Sequence, residues 1–275
     1  MDVRVVDDPA RVAAEVIARR LRDAVRRRGS ATIAFSGGST TPPMLAVLAT
    51  LDVPWSAVEV FQVDERVAPD GDPDRNVGQL AVLPLADVRR PLGRDDVGQD
   101  DVGRGDVGQG NVGQGNVGRG DVGRGRTAVL RAMSVTATDL DAAAARYAAS
   151  LPERFDVVHL GMGDDGHTAS WPPGDPVIDS PHAVDVSREF NGRVRMTLTP
   201  TTVNRARMRV VLVTGAGKAP MVERWLAGDP AVPVPVPVPI PVPVPIPVPI
   251  PIQRVRRTGT VVVLDGAAGG QPTEG

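Results

Sequence analysis

Between Asp156 and Pro173 the sequence DVVHLGMGDDGHTASWPP passes from a core strand into a turn that neither strand nor helix can absorb. Val157, Val158 and Leu160 make an apolar run with the length and branching of a buried strand. Gly161, Gly163 and Gly166 then surround Asp164 and Asp165, and that density of glycine forces a sharp bend. This is one unit of an open α/β sheet, in which ligands gather beyond the carboxyl ends of the strands. His167 follows the bend directly, with Asp165 two residues before it, so the pair has the makings of a base oriented by a carboxylate. A plainer account makes His167 the cap of a following helix. The flanking glycines and paired acids favour chemistry.

Other stretches repeat the strand-then-turn pattern. Asp8 and Pro9 read as a helix cap and first turn, with Val12, Val16, Ile17, Leu21 and Val25 at helical spacing. Arg26–Arg28 then complement the negative end of the helix dipole before Gly29 stops it. Ala31–Phe35 is a short apolar strand, followed by Ser36-Gly37-Gly38-Ser39-Thr40-Thr41-Pro42-Pro43 and a helical Met44–Leu48. Paired glycines let a backbone approach a ligand, and hydroxyls with the N–H groups of a helix start suit a phosphate. The turn is neither a P-loop, lacking the lysine, nor GxGxxG.

Val58–Val63 is a further strand, ending in Asp64-Glu65-Arg66, which reads as a surface salt-bridge cluster or as a group reaching substrate. Asp70–Asn76 resembles a calcium loop only superficially, because Arg75 and Ala81 fill the positions for its glycine and closing glutamate. Asn76 is a helix cap or a ligand contact, and Gln79–Leu85 a short helical piece. Thr138–Asp141 resembles a capping box ahead of the helix Ala142–Ser150. Residues 175–191 read as a loop or lid, His182 has no recognisable partner, and His159 is a packed core histidine. Arg193 and Arg195 precede the strand-like Met196–Leu198, and Thr199-Pro200 starts a helix. Met208–Val213 is a strong strand running into Thr214-Gly215-Ala216-Gly217-Lys218. A lysine at a helix start opposes the dipole, which points to a phosphate partner. Val261–Leu264 is the last strand.

Two tracts stand apart. From Asp96 to Gly125 a glycine-rich five-residue unit repeats, with too little apolar surface to offset its ordering entropy. Val232–Ile252 alternates Val or Ile with Pro; proline removes the ladder donor, so an extended, projecting polyproline segment is expected, not a central strand. The expected organisation is one domain over 1–265, interrupted at 96–125 and 233–251, with a disordered tail over 266–275. A net charge of -2 and a pI near 6.0 give no reason to expect nucleic acid. The absence of cysteine excludes disulfides and thiolate chemistry and fits a reducing cytoplasm. Neither a secretory signal nor an apolar run long enough for a membrane helix is expected.

The motifs Phe35–Pro42 (FSGGSTTP), Val63–Pro69 (VDERVAP), Leu160–Ser170 (LGMGDDGHTAS), Arg195–Thr199 (RMTLT) and Val213–Lys218 (VTGAGK) occur in one order. In this combination the chain resembles the glucosamine-6-phosphate isomerase/6-phosphogluconolactonase family. The resemblance implies a modified Rossmann-like α/β fold, a mostly parallel sheet with helices on both faces. It implies hydrolysis of 6-phosphoglucono-δ-lactone in the oxidative pentose phosphate pathway, with no metal and no organic cofactor. By the same resemblance His167 is the general base, Asp165 its companion, Arg66 an active-site arginine and Asp64 its neighbour. Gly37, Gly38, Ser39, Thr40, Arg195 and Lys218 correspond to the phosphate-binding set, Arg195 being preferred to Arg193 for its place before Met196-Thr197. Trp171-Pro172-Pro173 departs from the family's Leu-Phe-Pro at the pocket rim. The partner implied is a small sugar-phosphate lactone, with the oligomeric state open between monomer and dimer. No GxSxG serine is present, so direct attack by water is expected. The alternatives are an aminosugar-phosphate deaminase, whose motif runs DGHIAFNEP, and a sugar-phosphate-binding protein without turnover.

Overall fold

The computed structural model describes residues 1–89, 127–228, 232–233, 247–248 and 250–270. Eight strands form one sheet: β1 (Asp2–Val5), β2 (Ala31–Phe35), β3 (Val58–Gln62), β5 (Leu85–Arg89), β6 (Ala128–Arg131), β7 (Val157–Leu160), β10 (Arg209–Val213) and β13 (Thr260–Leu264). Their order is β1-β13-β10-β7-β2-β3-β6-β5, and every neighbouring pair is parallel. A second sheet, antiparallel, consists of β4 (Asp64–Arg66), β9 (Arg193–Leu198) and β8 (Val184–Phe190). The helices are α1 (Pro9–Arg28), α2 (Thr41–Thr50), α3 (Asn76–Gln79), α4 (Leu140–Ala149), α5 (Pro200–Arg205) and α6 (Ala219–Ala227).

A parallel sheet must be covered on both faces, so its central strands are apolar throughout. Successive side chains of β10 divide between two cores. Val210 and Leu212 pack with Ile17, Leu21, Leu45 and Leu48 of α1 and α2, while Val211 and Val213 pack with Tyr147 of α4, Trp225 of α6, Trp171 and Leu198. This is the period-two alternation of a strand buried on both sides. Winding reverses between β2 and β7: one half runs outward through β3, the other through β10 and β13. The carboxyl ends of β2 and β7 therefore frame the crevice where such sheets bind ligands.

Several local expectations are corrected. Residues 175–191 are not a loop: a 3-10 turn at Pro176–Asp179 leads into β8, which pairs with β9 through a two-residue Asn191-Gly192 turn. Both turn residues have positive φ, 52° and 74°, the geometry that suits a tight hairpin. The cap of α4 is Asp139, not Thr138, and it accepts from the Ala142 N–H at 2.9 Å. The piece expected over Gln79–Leu85 begins earlier, at Asn76, and Leu85 already belongs to β5. No helix follows His167; Thr168 and Trp171 form a β-bridge there. In the segment expected as a disordered tail, residues 266–270 form a turn, with Ala268 buried and its N–H donated to Asp265. Ile250 and Pro251, expected within the projecting arm, are buried in the protein, Ile250 as part of the core. The arm's ends pair antiparallel as β11 (Val232–Pro233) and β12 (Pro247–Val248). The repeat at 96–125, residues 234–246 and residues 271–275 lie outside the described residues. No helix among those described is long and apolar enough to cross a membrane.

His159 is the packed core histidine the sequence implies. It is fully buried against Phe35, ring centroids 5.9 Å apart, with only the Ser36 backbone to favour its charged form. Burial pushes its pKa down to about 4. As pH falls below about 6.5 the unfolded chain takes up a proton that the native protein refuses until near its own pKa. Stability is thus present above that window and lost through it, by roughly 3 kcal/mol from this one ring. A His159→Leu protein should show a shallower loss of urea resistance between pH 6.5 and 4 than the parent; equal slopes would refute the assignment.

Candidate active site

The bend after β7 is folded by its own backbone. The Gly163 N–H donates to the His167 carbonyl at 2.8 Å, and the Gly166 N–H donates to the Gly163 carbonyl at 3.0 Å. Gly166 adopts φ 79°, a left-handed conformation that favours glycine. The reversal brings Asp165 back onto His167. Its Oδ1 accepts the His167 backbone N–H at 3.0 Å and lies 2.5 Å from the ring Nδ1. Burial alone would raise the Asp165 carboxyl, but hydrogen bonds and the positive field from His167 outweigh it and hold it below the ordinary carboxylate value. With Nδ1 facing a carboxylate, the ring carries its proton there and Nε2 is the nitrogen able to act as base.

The second bend follows β2. Gly38 has φ 124°, and its carbonyl accepts the Thr41 N–H at 3.2 Å as α2 begins. The Thr41 hydroxyl donates to the Ser36 carbonyl at 3.0 Å. A side chain at Gly37 is impossible as the structure stands, because its Cβ would lie 1.9 Å from Asn76 Oδ1. Asn76 itself donates to the Asp64 carbonyl at 3.0 Å and to Asp64 Oδ2 at 3.2 Å, so it braces this bend and does not cap a helix.

Both bends open into one cleft of about 170 Å³ lined by Gly37–Thr40, Gly161–Gly163, His167–Ala169, Thr214 and Lys218. His167 and five of the six residues expected around a phosphate therefore share a single cavity. Lys218 stands at the start of α6, against the dipole, and its Nζ lies 2.6 Å from Asp164 Oδ1. Among the described residues no cluster of three or more metal-ligating side chains occurs.

The Asp64-Glu65-Arg66 triplet is not a surface cluster. Asp64 is buried and accepts hydrogen bonds from Ser36 Oγ at 2.7 Å, Ser170 Oγ at 2.8 Å and Asn76. It ties the β2 bend, the His167 segment and α3 together, and it does not line the cleft. Glu65, which the sequence does not single out, is fully buried. It lies 3.1 Å from Arg75 Nε and accepts from Gln62 Nε2 and the N–H groups of Asn76 and Val77.

Arg66 stands opposite Arg195 in the β4–β9 register, two guanidinium residues on facing positions. The Arg66 guanidinium donates to the Asp74 carbonyl. Arg195 is buried, and its Nε has no hydrogen-bond partner. Burial lowers its pKa, the Asp64 carboxylate opposing that shift and Arg66 reinforcing it. Arg193 points elsewhere, its Nη2 bridging Asp72 and Asp74 at 3.1 Å each. Phe190 joins the site without any motif of its own. Its ring meets the His167 imidazole edge to face, centroids 5.1 Å apart at 72°, and the Arg195 guanidinium sits 5.3 Å from its centroid. The signal that could locate it is the Asn191-Gly192 turn between two alternating stretches.

Ile250 completes the site from behind. A Cβ on Gly166 would lie 2.0 Å from Ile250 Cγ2, and the Ile252 N–H donates to the Gly166 carbonyl at 3.0 Å.

The family profile described as glucosamine-6-phosphate isomerases/6-phosphogluconolactonase matches residues 6–95 and 120–242. A 6-phosphogluconolactonase of Synechocystis sp. is 30% identical over 214 residues, covering 74% of this chain and 74% of that protein. One from Caulobacter vibrioides is 30% identical over 240 residues, 81% of this chain and 84% of that protein. The crystal structure of a 6-phosphogluconolactonase from Shewanella baltica superposes with a TM-score of 0.67 at 22% identity, covering 96% of this chain and 97% of that one. That last likeness is one of fold.

Proposed function

The chain belongs to the glucosamine-6-phosphate isomerase/6-phosphogluconolactonase family, and from this we propose that it hydrolyses 6-phospho-D-glucono-1,5-lactone to 6-phospho-D-gluconate in the pentose phosphate pathway. The observation that carries the reading is the convergence of the Asp165–His167 pair, the Gly37–Thr40 bend and Lys218 on one cleft. The sheet, with its reversal between β2 and β7, supports a modified Rossmann-like arrangement.

A δ-lactone is an activated ester, so water needs a base and help for the developing oxyanion. His167 Nε2 takes a proton from water as its oxygen attacks the lactone carbonyl carbon. Collapse of the tetrahedral adduct breaks the bond to the ring oxygen, which receives the proton back from His167. Asp165 fixes the ring and stabilises its transient positive charge. Arg66, or an N–H of the Gly163–Gly166 bend other than those of Gly163 and Gly166, which are already donated within it, stabilises the oxyanion. The phosphate is held by the Gly37-Gly38-Ser39-Thr40 bend, Lys218 and Arg195, whose remote grip positions the ring. Arg195 is preferred to Arg193 because Arg193 is already committed to two aspartates, whereas Arg195 keeps an unpaired Nε. Asp64 serves by holding the bends in place.

The test follows acid release from the lactone against its spontaneous opening, with ammonia release from glucosamine 6-phosphate measured in parallel. Accelerated acid release, inhibited competitively by inorganic phosphate, is expected. Ammonia release without lactone hydrolysis would move the activity to the deaminase side of the family.

A further inference from the structure

We propose that Phe190 is a positioning residue for His167, holding the imidazole plane in the orientation the base needs. This rests on the reading of His167 as the base. One hydrogen bond fixes where Nδ1 sits but leaves the ring able to swing about the line joining it to the carboxylate. Asp165 supplies that single bond at 2.5 Å. The Gly163 backbone bounds the ring at its Nδ1–Cε1 edge, where an added Cβ would lie 2.1 Å from Nδ1. What limits the swing further is the Phe190 ring, 5.1 Å away at 72°. Edge-to-face pairs are a preferred aromatic arrangement, so the contact restrains angle as well as distance.

Phe190 is itself held firmly. It is the last residue of β8, and it pairs with Arg193 across the Asn191-Gly192 turn. An irregularity in register between Ser187 and Phe190 re-aims the end of the strand. The guanidinium of Arg195 lies 5.3 Å from its centroid, within the range of a cation–π contact. One ring thus touches both the base and an arginine assigned to the substrate's anionic end. Seating the phosphate on Arg195 and orienting His167 share a side chain.

Leucine fills most of the same space without a flat ring. In Phe190→Leu, kcat on the lactone should fall about tenfold, since misplacement of a catalytic group by about 1 Å costs up to about a hundredfold. KM and the inhibition constant of inorganic phosphate should rise by no more than about fivefold, the share lost with the Phe190–Arg195 cation–π contact, because the Arg195 guanidinium itself remains. The thermal midpoint should match the parent, and Phe190→Tyr should recover most of the lost kcat. An unchanged kcat in the leucine protein, a loss confined to KM, or no recovery with tyrosine overturns the proposal. A second readout does not depend on turnover. The chain has 3 histidines, and the ring C–H resonances of His167 should move in Phe190→Leu as the neighbouring ring current disappears. If they stay in place, the contact is absent and the inference fails. If the parent itself gives no lactone acceleration, it is the functional reading that fails.

Discussion

A His167→Asn protein is expected to hydrolyse the lactone about a thousandfold more slowly than the parent, within the span of about 10² to 10⁴ that a positioned base contributes. Asparagine keeps a polar side chain facing Asp165 but cannot accept the water proton. Because His167 lines the cleft and lies outside both cores, folding should be unaffected. The loss should fall on kcat, with KM for the lactone little changed, as it does when an interaction made chiefly in the transition state is removed. The measurement is initial-rate acid release, corrected for spontaneous opening, beside a thermal melt. A variant that keeps most of its turnover would remove His167 from the mechanism, and with it the role given to Asp165.

Gly163→Ala should be almost as damaging, for a reason visible only in three dimensions. Gly163 is not among the residues with positive φ, so alanine can adopt its backbone conformation. The added Cβ would nevertheless lie 2.1 Å from His167 Nδ1, 2.2 Å from Cε1 and 2.7 Å from Asp165 Oδ1. All three are far inside van der Waals contact, and what can yield is the imidazole and its carboxylate partner. The protein should fold with the base displaced, and kcat should fall by about a hundredfold or more. Because both substitutions disable one group, their losses should not add. The double variant Gly163→Ala/His167→Asn should be no slower than His167→Asn alone. Multiplying losses would mean that Gly163→Ala disturbs the reaction by a route other than the base.

How legible each part is in the sequence depends on how local its physics is. The bends after β2 and β7 are written in contiguous glycines, hydroxyls and acids, so the residues alone mark them, and they do share a cleft. The strands that the sequence hides lack an apolar signature. In β1, an edge strand, Val3 and Val5 are 40% and 41% exposed. Along β8 the charged Asp185, Arg188 and Glu189 mask the pattern, leaving the Asn191-Gly192 turn as the one local cue. Glu65 and Asp64 read as surface charge because their partners lie far along the chain: α3 and Arg75 for one, Ser36 and Ser170 for the other. Burial of a carboxylate depends on donors that only folding assembles. That Arg193 is held by Asp72 and Asp74 is likewise invisible locally, because those partners lie more than a hundred residues before it. The substrate, by contrast, comes from the motif order and the family and not from periodicity.

Because β11 and β12 lie side by side, Val232–Pro233 and Pro247–Val248 are held against each other. Ile250, two residues beyond β12, has a fixed place: its methyl group fills the space a side chain at Gly166 would need, so any shift of this segment in register would press on the bend after β7.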